Sequence, residues 1–430
     1  MPRLRYFSNN KVYVDGILSQ STKLPSLLEP LSNNGFSTIW GANSLSLMAF
    51  WMTEVACAWQ MRIMTDADPL LVASVYTALQ LPIMLLVIPA GVLTDLTDKR
   101  RVMIWTHVWL GFGLGSLFWL TVSERITPLL LLVLLPLIGV GQALRMPGIA
   151  TLIPDLVSTR QIPAAVSLNS MAQTSSRIIG PALAGAMIAS TSIAAVLAVN
   201  TAIMVLITFL FLRLNYSPEK NNLPLSRQRF FVAIMEGLRF AAATSWKRNI
   251  LIRLGTFFAC SAAVPALMAV RFDDSETYGF MYSCFGGGSL LSLLVIGKLG
   301  YQKLDRRLTG ALLVCALFMM FFGLTDHPAL TALLLAGIGA SWIFCSNSIM
   351  VAAQMQLDSS MRGRGLSFIF AVGTACLACG GLLWGAIARA TSPTSALLAS
   401  GVCLLLLLAA THRLSIAGPN SQPASSAEEA

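Results

Sequence analysis

Gly91-Val92-Leu93-Thr94-Asp95-Leu96-Thr97-Asp98-Lys99-Arg100-Arg101 decides how this chain folds. Charged residues make up 11% of the sequence, yet five of them crowd into the seven positions from Asp95 to Arg101. Long apolar runs flank the stretch, and the run before it carries Pro82 and Pro89. Five charges without partners cannot rest in hydrocarbon, so this turn belongs at a membrane surface between two crossings. Gly91 suits a close helix approach or an unusual backbone angle where the chain leaves the bilayer.

The rest of the sequence supports a membrane frame. Hydrophobic residues are 56% of 430, too many for a water-soluble domain. They gather in runs of about 17 to 25 residues, the length that crosses a bilayer as helix. Six runs precede a long polar segment: Ile39–Met61, Leu71–Leu93, Val102–Val122, Leu129–Ile149, Ala164–Ala189 and Ile193–Leu212. Six follow it: Ile250–Val270, Tyr278–Ile296, Leu308–Leu324, Leu330–Ala352, Leu366–Ala388 and Ala396–Thr411. The expected fold is therefore all-α, twelve transmembrane helices in two six-helix bundles at 36–213 and 250–411.

Around them the sequence predicts a cytoplasmic extension at 1–35, without the apolar stretch and small-residue site of a signal peptide. It also predicts a cytoplasmic linker at 214–249, whose segment from Phe230 to Trp246 has the pattern of a surface amphipathic helix. A Ser/Pro/Ala-rich tail at 412–430 reads as disordered. The net charge of +10 sits in the loops, which marks orientation rather than a nucleic-acid face. With both ends in the cytoplasm, the loops hold 22 Lys and Arg inside against 4 outside, at Arg62, Arg125, Arg271 and Arg389.

The charged stretch resembles the loop between helices 2 and 3 of the major facilitator superfamily, G-x3-D-[RK]-x-G-[RK]-[RK]. Gly91, Asp95, Lys99 and Arg100 match in place, while Leu96 and Asp98 depart from the motif. Its Asp-x-x-Asp-basic-basic form resembles the drug and siderophore exporter branch, which includes the enterobactin exporter. Arg145-Met146-Pro147, Leu152 to Val157 and Arg177 to Gly185 are similar to the helix 4 to helix 5 region of that branch. Gly180-Pro181 with Gly185 also resembles the antiporter motif of helix 5. A degenerate second copy of the charged turn runs from Gly297 to Arg307 after the eighth run. The resemblance implies alternating access, with Gly91, Asp95, Asp98, Lys99, Arg100 and Arg101 as a latch joining the two halves at the cytoplasmic side.

Among residues that carry chemistry, Glu54 is the one carboxylate well inside an apolar run. It lies eleven residues after Asn43, about three helical turns, so both share a face. Hydrocarbon favours its neutral form, which suits a proton-coupling group; the alternative is a carboxylate satisfied by water or by Arg62. Arg177 follows Asn169 and Gln173 at helical spacing and closes a polar stripe that must face protein or water. It suits an anionic substrate or the Glu54 carboxylate, or else a tether to helix-end carbonyls. Arg145 with Gln142 lines the inner cavity or snorkels to the headgroups, and Arg253 reads as snorkelling. Tyr282, Trp342 and Asn347 are further cavity candidates, of residue types that in such helices more often pack than bind.

The eight cysteines fall inside apolar runs as small hydrophobes, and the three histidines are far apart, so neither a metal site nor a cofactor is expected. No phosphate loop or catalytic motif is present, which argues against an enzyme and for an ion gradient as energy source. These readings point to a multi-pass protein of the bacterial cytoplasmic membrane, without nucleic-acid partners and expected as a monomer, whose partners are a small organic molecule, protons and the lipid bilayer. The resemblance implies export of a siderophore or drug-like compound by proton antiport. A proton-coupled importer of an organic acid or nutrient, and a lysolipid transporter, are the alternatives.

Overall fold

The computed structural model describes residues 27–214, 245–299, 304–357 and 362–416, with the backbone alone at 95–96, 293–299 and 362–364. Within them the chain is helical. The first bundle holds α1 (Asn34–Met64), α2 (Pro69–Leu96), α3 (Lys99–Val122), α4 (Pro128–Leu156), α5 (Ile162–Ser190) and α6 (Ile193–Arg213). The second holds α7 (Ser245–Arg271), α8 (Ser275–Leu299), α9 (Leu304–Leu324), α10 (Pro328–Gln356), α11 (Arg362–Ala390) and α12 (Pro393–Thr411). Each apolar run has become a helix that extends past it. The caps set the true ends: Asn33, Asp68, Asp98, Thr127, Ser192, His327 and Ser392 accept hydrogen bonds from the first free backbone N–H groups. Pro69, Pro128, Pro328 and Pro393 start their helices where a missing N–H costs nothing. α7 breaks at Ala262, because the ring of Pro265 opposes the carbonyl of Ser261 one turn earlier.

Nine of the helices, among the described residues, are long and apolar enough to cross a membrane. The remaining three are α1, α5 and α8. They are the helices that carry Glu54, Arg177 and Tyr282.

The two bundles repeat one packing scheme. α1 packs on α5 and α6, α2 on α4, and α3 on α4 and α6; likewise α7 packs on α11 and α12, α8 on α10, and α9 on α10 and α12. The halves join along two seams related by the same pseudo-symmetry, α2 against α11 and α5 against α8. At the α5–α8 seam the backbones nearly touch: a Cβ on Gly185 would lie 2.5 Å from Ser275 O, and one on Gly279 2.5 Å from Pro181 O. Only glycine fits there. At the other seam Thr77 Oγ1 donates to Ala378 O at 2.9 Å.

These tight contacts lie toward the end of the molecule that carries the α1–α2 and α7–α8 turns. Two ion pairs bridge the halves at that rim, Arg389–Asp68 at 3.1 Å and Arg62–Asp273 at 3.5 Å, and Trp59 stacks on Tyr278 beneath them at 5.9 Å. The molecule is thus closed at this end.

The termini of the bundles depart from the expectation in one place. His412 to Ile416, assigned by composition to a disordered tail, lie against the second bundle. Ile416 is fully buried; its N–H and the Ser415 hydroxyl donate to Asp305, while Asn249 and Gln356 donate to the carbonyls of Ser415 and Ile416. The expected linker helix and most of the N-terminal extension lie outside the described residues. What is described of that extension packs on the first bundle, where Asn33 Nδ2 donates to Leu156 O and Gln161 to Glu29.

Candidate functional site

The central site forms where α1, α5, α8 and α10 meet at mid-depth. α1 offers Trp51 and Glu54 on one face, three residues apart. Tyr282 and Phe285 repeat that spacing on α8, and Trp342 faces them from α10. Glu54, 3% exposed, accepts a hydrogen bond through Oε1 from the hydroxyl of Tyr282, also buried. The bond joins residues 228 positions apart and ties the first half to the second. The other carboxyl oxygen, Oε2, is buried with no partner among the described residues.

Arg177 completes the site from α5. Its guanidinium carbon lies 4.5 Å from the centre of the Phe285 ring, 5.4 Å from Trp51 and 5.8 Å from Trp342, inside the range in which a ring face attracts a cation. Its Nε is buried and unpaired. The rings continue outward from Tyr282 through Phe285 to Trp342, at centroid separations of 6.0 and 5.6 Å. Gly286 makes this possible, since a Cβ there would lie 2.6 Å from Arg177 O. A carboxyl with one free oxygen and an aromatic-caged cation therefore share a pocket between the two halves. Such a pocket can hold or release a proton and can answer an incoming charge.

A second polar group lies further along α1, inside the first bundle. Arg145 Nε donates to Gln142 Oε1 at 2.7 Å and its Nη1 to Asn43 Oδ1 at 2.6 Å. Asn43 in turn donates to Asn169 Oδ1 at 2.7 Å. Asn43, Gln142 and Arg145 are 3 to 5% exposed. Burial excludes the snorkelling alternative for Arg145.

Several sequence readings change in position or partner. Arg62 does not serve Glu54: it lies over Trp59 at 4.6 Å and reaches Asp273. Arg177 is caged by rings instead of tethered to helix-end carbonyls. Arg253 does not snorkel; it is fully buried, paired with Asp305 at 3.3 Å and donating to Thr309. Gln173 is exposed and Asn347 half-buried, and neither makes a hydrogen bond among the described residues. Gly91 sits in regular helix, and a Cβ there would meet nothing within 4 Å.

The charged turn itself is a capping device in this conformation. Asp98 caps α3 through the amides of Arg100 and Arg101, and Arg101 pairs back to it at 3.5 Å. Lys99 bonds Asp155 at 2.6 Å and Thr151 O at 2.9 Å, tying α3 to α4. Arg100 donates to Phe211 O at 2.8 Å at the C-terminal end of α6, where carbonyls lack helical partners. All these bonds stay within the first bundle. The Asp95 side chain lies outside the described residues.

Sequence reasoning missed Trp51 and Phe285 as walls of the site. Their spacing from Glu54 and Tyr282 was visible, but an aromatic one turn from a polar residue is also what an ordinary packed helix shows.

Residues 25–429 match the family described as transmembrane secretion effector. The chain is 26% identical over 406 residues to the uncharacterised MFS-type transporter YfiS of Bacillus subtilis (strain 168), covering 88% of this chain and 93% of that one. Among solved structures, a POT family transporter in complex with 5-aminolevulinic acid superposes with a TM-score of 0.73 at 13% identity, over 88% of this chain and 95% of that one. The nucleoside transporter NupG superposes with a TM-score of 0.65 at 15% identity, over 89% of this chain and 99% of that one. At these identities the two structures speak for the fold.

Proposed function

The chain belongs to the major facilitator superfamily of membrane transporters, in the family described as transmembrane secretion effectors, and we propose that it exports an organic molecule by alternating access in exchange for protons. The single observation that carries this reading is the hydrogen bond from Tyr282 to Glu54 across the two halves. It exists only while α1 and α8 are held together. Rocking the halves apart at the closed end breaks it and gives Glu54 a different environment, so the same movement that alternates access alters the carboxyl's hold on its proton.

The family description and energetics both support the outward direction. The sequence carries no phosphate loop, so an ion gradient is the energy source, and an inward proton gradient drives export only by exchange. Arg145 and Arg177, with no carboxylate at ion-pair distance among the described residues, favour a carboxylate-bearing substrate, and the siderophore and drug-like class of the exporter branch fits that description. The Lys and Arg bias supports cytoplasmic termini, and in that orientation the closed rim faces outward, as in an inward-facing form. In the opposite state Asp95 and the basic residues of the turn latch the two halves at the cytoplasmic side.

One observation favours a second reading. Protonating Glu54 leaves Arg177 without a nearby negative charge, a condition in which proton and anion bind together, as an importer by symport requires. Everted membrane vesicles separate the two. With the lumen made acidic, an antiporter accumulates its substrate in the lumen and Glu54→Gln does not. Accumulation only under the reversed gradient establishes symport, and transport indifferent to either gradient removes proton coupling. Comparing the small molecules retained by a deletion strain supplies the substrate, since loss of an exporter raises its cargo inside the cell.

A further inference from the structure

The Gln142–Arg145–Asn43–Asn169 network has a fixed electrical sense. A guanidinium can only donate. Its Nε–H therefore engages the oxygen of Gln142, and its Nη1 the oxygen of Asn43. With that oxygen taken, Asn43 turns its amide nitrogen to Asn169 Oδ1. The arginine thus settles every amide orientation in the group. Each amide is left showing only its NH2 at the far side: Gln142 Nε2 at one end and Asn169 Nδ2 at the other. Arg145 Nη2 is the third donor of the group. None of the three meets an acceptor among the described residues.

Three donor groups that take no acceptor among the described residues, and that are accessible rather than sealed in the core, surround a cation whose residue is 95% buried, an arrangement that suits an acceptor of opposite charge. No carboxylate lies at ion-pair distance from Arg145 among the described residues. Glu54 is eleven residues further along α1, roughly 16 Å by helical rise. A purely structural tie of α1, α4 and α5 would be served as well by neutral amides, without the cost of an uncompensated cation. We propose that this network is the subsite for the anionic head of the transported molecule, a carboxylate or an acid of similar shape. It is separate from the Glu54–Tyr282–Arg177 pocket that handles the proton. The inference rests on the transporter reading and names the residues that select the substrate.

Trp40, whose Nε1 donates to Leu168 O at 3.0 Å beside Asn169, is one of nine tryptophans that can report, and the variants below tie the signal to the network. Tryptophan fluorescence of the purified protein is titrated with benzoate and, as a neutral isostere, methyl benzoate. Benzoate is expected to give a saturable change and the ester none. Asn169→Asp keeps the acceptor for Asn43 while replacing the outward donor by an anion, so it preserves the tie and is expected to weaken benzoate about tenfold or more. Arg145→Gln is expected to do the same; if it fails to fold, Asn169→Asp decides alone. Wild-type affinity in Asn169→Asp, equal binding of the ester, or no saturable response to benzoate each overturns the subsite. Absence of proton-driven transport, with the benzoate pattern intact, would instead sink the coupling mechanism and leave the subsite standing.

Discussion

At the scale of single residues, Tyr282 and Glu54 set the terms. The carboxyl already has one oxygen without a donor, so Tyr282→Phe leaves it with none. The expected cost is about 1–3 kcal/mol of stability, read as a lower melting temperature, together with impaired proton-driven transport. Glu54→Gln behaves differently. It still accepts from Tyr282, so the variant should fold normally and yet lose its response to a pH gradient. Transport that keeps its pH dependence in Glu54→Gln takes this carboxyl out of the mechanism. Arg177 is held by ring faces, a role that suits a flat, weakly hydrated guanidinium better than an ammonium. Of this site the sequence made Glu54, Arg177, Tyr282 and Trp342 visible as polar or aromatic exceptions in apolar helices. It did not show that they meet, because α1, α5, α8 and α10 are brought together only by the seams between bundles.

At the scale of elements, the charged turn is a capping device in the conformation described. Asp98 caps α3, and Asp98→Ala should cost about 1 kcal/mol in thermal unfolding if capping is its task in this state. An unchanged melting temperature would show that the cap contributes nothing measurable. The α5–α8 seam is less forgiving. A side chain at Gly185 meets backbone at 2.5 Å, and backbone cannot swing aside as a flexible side chain can. Gly185→Val is expected to hold the halves apart at the closed rim and to raise the reactivity of a cysteine placed at Trp59 toward a membrane-impermeant thiol reagent. No gain in reactivity would mean that the seam yields elsewhere. The C-terminal segment is an element that composition misjudged. Leu414, Ser415 and Ile416 look like the start of a loose tail, but Ile416 is a single apolar residue that finds a hole between helices, with Asp305 waiting to accept its N–H.

At the scale of the whole molecule, the two seams and the two rim ion pairs make a hinge that is closed at one end. Asp68 also caps α2, so Arg389→Gln is the cleaner way to remove the pair between them. Solvent screens it, and the expected shift toward the open-rim form is up to about 1 kcal/mol, roughly fivefold in population. Distances between spin labels across the rim would report it, and an unmoved distribution would show that the glycine seam alone sets the closure. At the opposite end, Asp95→Asn should favour the form described here over its counterpart, by removing a latch that acts only when that end is closed. A cysteine-accessibility pattern identical to wild type would contradict the latch.

What the sequence determined by itself is the material: the number of apolar runs long enough to span a bilayer, their grouping six and six, and the charged turns that must stay at the surface. Those properties are local, since the cost of placing a charge or an unpaired backbone group in hydrocarbon depends on a residue and its near neighbours. Helix ends needed the caps, which lie just beyond the apolar runs. The partners of the buried charges needed more. Arg253 finds Asp305, Arg62 leaves Glu54 for Asp273, and Tyr282 crosses 228 residues to reach Glu54. Tertiary packing alone decided these, because a hydrogen bond depends on where two helices touch, and nothing in the spacing along one chain records that distance.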